Sequence, residues 1–290
     1  MIGENAVYHE TRSLNDLEFR VDVMQTFRKN PGMRIACCLL HWHEEMEIHY
    51  VTEGELEIFI DQKSYLLKKG DMAVIHGNAI HITYYSQEMQ ELIFIFDMKD
   101  LSREVAASKC FQPLVLQDPM IGKIMEEIQT EFQDMEAGYR LICKGLIFRL
   151  IGHLERNYVE SQISEKEILQ KKKRLERLDV VKQYIGEHFA EPIENKTLAE
   201  LIHISEHRFN HLFKECMGVS PRRYVNEIRL NEALRLLRTG SYLISEAAER
   251  AGFTDYHYFG RLFRQTYGCA PSEVAGKEVL PEMGTIKLRV

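Results

Sequence analysis

No apolar run in this 290-residue sequence approaches the roughly 18 residues that would mark a membrane-spanning helix. The first ten residues, MIGENAVYHE, hold no basic stretch followed by an apolar core. No secretion signal is therefore expected, no membrane partner either, and the expected location is cytoplasmic. The six cysteines, Cys37, Cys38, Cys110, Cys143, Cys216 and Cys269, include no CxxC pair, so reduced thiols are expected rather than a disulfide framework or a zinc–thiolate cluster. An overall excess of positive charge is also lacking, since the net is −7. The imbalance is internal. Residues 1–160 hold 16 Lys and Arg against 26 Asp and Glu, whereas residues 161–290 hold 21 against 18. Only the second stretch could approach a polyanion without strong repulsion.

What is present is ordinary for a globular chain, with 45% hydrophobic and 28% charged residues, and the length favours two domains. From about Ile35 to Phe96 the sequence reads as strands: IACCLL, MEIHYV, LEIFI, MAVIH and ELIFIF, separated by turn residues such as Glu53-Gly54 and Lys69-Gly70-Asp71. Short strands at this spacing predict a sandwich or small barrel. From Pro119 the period becomes helical. Ile121, Ile124, Met125, Ile128 and Phe132 form one stripe, and Leu141, Leu146, Leu150, Leu154 and Tyr158 another, with Gly138 between them. The polar stretch 161–174 contains Lys171-Lys172-Lys173-Arg174 and reads as a flexible interdomain linker, its basic run either a solvated connector or an extra phosphate contact. The expected division is a β-barrel with its N-terminal segment at 1–117, a helical hairpin at 118–160, the linker, a helical domain at 175–277 and a tail at 278–290.

The helical half contains a repeat. Phe209, Leu212, Phe213, Gly218 and Pro221 recur fifty positions later as Phe259, Leu262, Phe263, Gly268 and Pro271. Each unit has the parts of a helix-turn-helix. A small residue (Ala199 or Ala248) permits close helix packing, a tight turn follows, and Ser205 or Asp255 can cap the second helix. The apolar residues of that helix leave His207, Asn210, His211 and Lys214, or Tyr256, His257, Arg261 and Arg264, on the opposite face, with donors for base edges and phosphates. Between the units, Ser220, Pro221 and Gly240 bracket a helix over 221–238. Its length of about 27 Å could hold two recognition helices roughly one DNA turn apart, about 34 Å.

The run AGFTDYHYFGRLFRQTYGCAP, Ala251–Pro271, resembles the signature of the AraC family of transcription regulators, and the first unit and RRYVNEIRLNEALRLL resemble that family throughout. The resemblance implies two helix-turn-helix units entering successive major grooves of double-stranded DNA. Carried over by position, His207, Asn210 and His211 in the first unit and Tyr256, His257 and Arg261 in the second become the base readers. Many relatives place Arg where this chain has His211. The resemblance further implies a homodimer with the hairpin as interface, and an RNA polymerase contact if the protein is an activator; the stripe of Leu146, Leu150 and Leu154 must be buried on the barrel, on a second subunit, or on both.

In the N-terminal half the string HWHEEMEIHYVTEG, His41–Gly54, puts His41, His43, Glu47 and His49 on one strand face and Leu40, Trp42, Met46, Ile48 and Tyr50 on the other. This segment, with His81 downstream, resembles the cupin barrel found as the sensor of many such regulators. That resemblance implies a ligand set of His41, His43, Glu47 and His81, suited to zinc, nickel, iron or manganese. The chain departs from the motif at Ile35 and at His76-Gly77-Asn78. Three readings stay open: a metal-free pocket for a polar effector at these four residues, a divalent metal site, and a solvent-facing polar strand. The expected protein is thus α+β with two domains, a DNA-binding regulator without catalytic residues, controlled by a small polar effector such as a sugar. A metal-dependent cupin enzyme fused to a DNA-binding module is the alternative.

Overall fold

Alternating and β-rich segments of the first half form two antiparallel sheets. The structure is a computed structural model that describes residues 21–28, 33–101, 109–275 and 283–289. Its strands are β1 (Val21–Arg28), β2 (Ile35–Ala36), β3 (Met46–Glu53), β4 (Glu55–Ile60), β5 (Lys63–Lys68), β6 (Met72–Ile75), β7 (His81–Tyr85), β8 (Met89–Phe96), β9 (Lys109–Phe111), β10 (Leu114–Val115), β11 (Val159–Gln162) and β12 (Met283–Arg289). One sheet runs β10-β6-β3-β8-β1-β12 and the other β2-β7-β4-β5, while β9 pairs with β11. Among the described residues the strands thus make two larger sheets and a two-stranded one, and an isolated bridge, His41 to His81, touches the four-stranded sheet from the loop before β3. The expected run at 35–40 is strand only over Ile35–Ala36. The first twenty residues, the expected N-terminal segment, lie outside the described residues.

Period-two alternation decides what each face of the larger sheet meets. Val21, Val23, Met46, Ile48, Tyr50, Met72, Val74, Leu92, Phe94 and Phe96 share one apolar cluster with the helices α1 (Pro119–Asp134) and α2 (Tyr139–Asn157). The opposite face carries Glu47, His49, Thr26 and Glu91, with Glu47 and His49 opposite Ile95 and Ile93 of β8. Asp118 caps α1 by accepting from the N–H groups of Met120 and Ile121. Leu146, Leu150 and Leu154 are 6%, 0% and 0% exposed within this cluster. Of the coverings left open for this stripe, the sheet of the same chain takes these three leucines. Their stripe is core, and each such leucine contributes about 1.5–3 kcal/mol through burial. Leu141, expected in the same stripe, is instead 76% exposed.

The segment expected as a flexible linker is largely helical. Residues 165–188 form one helix, α3 (Glu165–His188), opened by a capping box between Ser164 and Glu167. A domain boundary at 174/175 would cut it in the middle. The physical reason is that Glu, Lys, Leu, Gln and Arg are all strong helix formers, and Leu175, Leu178, Val181 and Ile185 supply a buried stripe. The basic run is spent on ion pairs: Lys171 with Asp61 at 2.7 Å, Lys172 with Glu44 at 2.6 Å and Arg174 with Glu215 at 2.7 Å.

The remaining helices are α4 (Asn195–Leu201), α5 (Glu206–Met217), α6 (Pro221–Arg238), α7 (Ile244–Arg250), α8 (Tyr256–Tyr267) and α9 (Pro271–Val274). The two units have separate cores. Phe209 and Phe213 cluster with α3 and with Leu40, Trp42, Ile80 and Ile82 of the first half. Phe259, Phe263 and Tyr267 cluster with Leu230, Leu234 and Leu237 of α6 and with the interior of the two sheets. The Arg34 N–H also donates to the Tyr267 carbonyl at 3.1 Å. Residues 283–289, expected as part of a tail, instead form β12 beside β1, from Asp22 opposite Arg289 to Arg28 opposite Met283. The alternation in GTIKLR fits an edge strand, which gains a ladder that a free tail would leave to water.

Candidate functional site

Four side chains from three places in the chain converge between the sheets. Glu47 lies on β3, His81 opens β7, and His41 and His43 come from the loop preceding β3, where the His41 N–H and C=O pair with His81. One ligand atom from each of His41, His43, Glu47 and His81 lies within 4.8 Å of all the others. The His41 and His81 rings are 4.1 Å apart, and the His43 and His81 rings 5.0 Å. His81 and Glu47 are 1% and 7% exposed, so the solvent-facing strand reading does not describe them.

Backbone carbonyls orient all three imidazoles. The Nδ1 atoms of His41, His43 and His81 lie 2.9, 3.0 and 2.9 Å from the carbonyl oxygens of Leu39, Glu45 and Ala79. A carbonyl only accepts, so each Nδ1 carries the proton and each Nε2 is turned to the cluster. His81 Nε2 is buried without a hydrogen-bond partner, 3.4 Å from Glu47. Burial and the neighbouring His81 push His41 down to about 3, which leaves its imidazole neutral at neutral pH. Burial opposes protonation of His43 too, but the Glu47 carboxylate 2.8 Å away raises its pKa.

Glu47 is itself tied to a second buried network. His49 Nε2 lies 2.8 Å from Glu47 and His49 Nδ1 2.7 Å from Glu91, to which Thr26 donates at 3.1 Å. Burial disfavours a charged His49, but Glu91 and Glu47 outweigh it and raise the pKa to about 10. Burial likewise disfavours a charged Glu47, yet His49 and His43 hold it well below the carboxylate range. Glu47 is thus an ionised carboxylate at the centre of the cluster, which a divalent cation would complement. Three oriented imidazoles and an ionised carboxylate fit such an ion chemically. The sequence reading placed His49 on this face without its partners; Thr26 and Glu91 were not singled out, because their role depends on the β1–β8–β3 register.

The second site is the outer face of α5 and α8. Ser205 and Asp255 cap these helices by accepting from the N–H groups of Arg208 and Tyr258. His207, His211, Lys214, Tyr256, His257, Arg261 and Arg264 are exposed. Asn210 is half-buried, and its side-chain oxygen accepts from Asn195 at 2.9 Å, which leaves its NH2 group as donor. His211 Nδ1 lies 3.5 Å from Glu215. Tyr256, His257, Arg261 and Arg264 line an open cleft of about 700 Å³ with Gln265 and Ser272, two polar residues the sequence reading passed over. Gly260 contributes no side chain there, which is what opens the cleft between its neighbours. The Arg261 guanidinium rests 5.6 Å from the centre of the Tyr258 ring.

Comparison with known proteins finds matches to both halves of the chain. The family model for an AraC-like ligand binding domain matches residues 39–151, and that for a helix-turn-helix domain matches residues 198–277. YijO of Escherichia coli strain K12, an uncharacterized HTH-type transcriptional regulator, is 26% identical over 78% of this chain and 79% of its own. The HTH-type transcriptional activator RhaS of Salmonella arizonae is 31% identical over 37% of this chain, and the match spans 38% of RhaS. The solved structure of unsaturated fatty acid-bound ToxT from Vibrio cholerae is 15% identical, covers 92% of this chain and 98% of its own, and has a TM-score of 0.40. With a ligand-binding domain followed by a DNA-binding domain of this kind, the chain belongs to the AraC family of transcription regulators.

Proposed function

We propose that the protein reads specific double-stranded DNA with α5 and α8 while the cluster of His41, His43, Glu47 and His81 holds a divalent cation as part of a small polar effector's site. The observation that carries the cation is the shared orientation: three Nδ1 atoms are committed to backbone carbonyls, and the Nε2 atoms of His43 and His81 lie 2.8 and 3.4 Å from the buried Glu47 carboxylate, with a ligand atom of His41 in the same cluster. The ion would supply a fixed positive charge and a position for an oxygen donor of the effector. A sugar or related metabolite fits that chemistry. The alternative of a cupin enzyme rests on the same four residues, and both curated relatives named above are transcription regulators.

The protein is further proposed to act as a homodimer through the outer face of α2, and to contact RNA polymerase if it activates. Leu141, Ile142 and Phe148 are 76%, 49% and 46% exposed there. Gly145 and Gly152 share that face with nothing within 4 Å of an added Cβ, which leaves room for a second helix.

The test uses the full chain. Elemental analysis of untagged protein should find about one equivalent of metal, sharply reduced in His43→Ala. Background metal in both proteins returns the reading to a metal-free pocket, and turnover of a small substrate by the loaded protein favours the enzyme. Binding to a selected duplex should weaken steeply with salt, by about −0.9 in log–log slope per phosphate neutralised. Salt-independent binding overturns the DNA reading.

A further inference from the structure

Trp42 is the only tryptophan of the chain and lies between two of the cluster's imidazoles, His41 and His43. It points the other way. The indole is 0% exposed, packed in the core of the first helix-turn-helix unit with Leu175 and Leu178 of α3 and Phe209 and Phe213 of α5. Its Nε1–H donates to Asp179 Oδ1 of α3 at 3.1 Å. The same carboxylate oxygen accepts from Lys182 at 2.9 Å, and Lys182 is a buried lysine, 1% exposed. A second contact runs parallel, since Glu44, the residue after His43, pairs with Lys172 one and a half to two turns earlier on α3.

α3 in turn holds the first unit. Arg177 donates to the Ile202 carbonyl in the turn between α4 and α5. The stretch from Leu40 to Glu45 has no ladder of its own beyond the His41–His81 bridge. Its backbone is held at His41 by the two hydrogen bonds with His81 and at His43 by the Asn78 N–H, which donates to the His43 carbonyl at 2.6 Å, and its side chains reach out on both sides: to the cluster through His41 and His43, and to α3 through Trp42 and Glu44. A group that draws in two imidazoles fixes the backbone on both sides of the indole, and a packed indole cannot shift without its neighbours.

We propose that Trp42 is a positioning residue that couples occupancy of the His41–His43–Glu47–His81 cluster to the placement of α3 and the first recognition helix. The proposal rests on the cation reading above. Coupling between two sites is reciprocal, so zinc alters DNA affinity through Trp42 and DNA alters zinc affinity by the same factor.

The experiment uses the full chain, zinc as the probe, and a duplex selected by the wild-type protein. Zinc binding is measured by equilibrium dialysis on the wild type and on His43→Ala, whose difference assigns the cluster. Tryptophan emission then reports Trp42 alone. Filling the cluster should shift or quench that emission and change DNA affinity by at least about fivefold. Trp42→Phe and Asp179→Ala should bind zinc as the wild type does, yet show DNA affinity that no longer depends on zinc. Asp179→Asn, which keeps an acceptor for the indole, should retain the coupling. If Trp42→Phe does not fold, Asp179→Ala carries the comparison, with emission as a second readout. Zinc bound at the cluster with unchanged emission, or with the same DNA affinity change in Asp179→Ala as in the wild type, overturns the coupling alone. Absence of zinc from the cluster overturns the cation reading and the coupling together.

Discussion

His203 and Gly252 occupy the same position in the two helix-turn-helix turns, both left-handed, with φ of 54° and 87°. The second unit uses a residue suited to that backbone, and the first strains an imidazole into it. A Cβ at Gly252 would stand 2.7 Å from the Ala190 Cα and 2.8 Å from its carbonyl oxygen. Gly252→Ala should therefore destabilise the helical half by more than the roughly 1 kcal/mol of the backbone effect alone. His203→Gly should be neutral or stabilising by up to about 1 kcal/mol. Urea unfolding of each variant decides; equal losses at both positions would show that the turns are not equivalent.

Asp118 gives the sensor half a pH dependence. Burial opposes its ionisation, but hydrogen bonds from His153 at 2.8 Å and Tyr158 at 2.6 Å and from two backbone N–H groups lower its pKa to about 2. A carboxylate whose folded pKa is depressed stabilises the fold fully above its unfolded value, about 3.9, and loses that contribution as pH falls toward the folded value. Thermal stability should drop between about pH 4 and 2, and Asp118→Asn should be less stable at neutral pH with that drop reduced. Parallel melting curves for both proteins across this range would refute it.

The two faces of α2 should separate folding from assembly. Leu150→Ala removes a fully buried side chain and should cost about 2–5 kcal/mol, and Leu150→Asp should abolish the fold of the first half. Phe148→Asp, on the exposed face, should leave circular dichroism unchanged and give a monomer by light scattering. A folded Leu150→Asp monomer would restore the stripe as an interface.

On the DNA face, Arg261 should read a base and Lys214 a phosphate. Arg261→Ala should cost about 1–3 kcal/mol on the preferred duplex and relax preference at one base pair. Lys214→Ala should weaken binding to all sequences and reduce the salt slope by about 1. A uniform loss with Arg261→Ala would make it a phosphate contact.

The helical half was legible because its signals are local. Caps at Ser205, Ser220 and Asp255, a period of 3.6 and a fifty-residue repeat all lie within a few turns of the residues they organise. The larger sheet was less so. β1 reads VDVMQTFR, and its polar Asp22 and Thr26 look solvent-facing until the register sets Thr26 opposite Glu91. The Leu146–Leu154 stripe was visible, but periodicity states that a face is buried and not what covers it. The start of α3, up to Arg174, reads as a linker because its first ten residues are almost all polar and the buried stripe begins only at Leu175. The four cluster residues came from family resemblance. Trp42 was assigned to the same face as Met46, an extrapolation that fails because the chain leaves the sheet before residue 46.

The last strand belongs to the first domain's sheet. β12 covers the outer edge of β1 along seven residue pairs, so a fragment ending before α3 would carry β1 as a bare edge. Open edges of that length recruit other chains by strand addition. Such a fragment should aggregate on concentration, and a ligand screen run on it would respond to compounds that block self-association as readily as to any effector. Supplying residues 283–289 as a peptide, or keeping the chain whole, removes that confusion at its source.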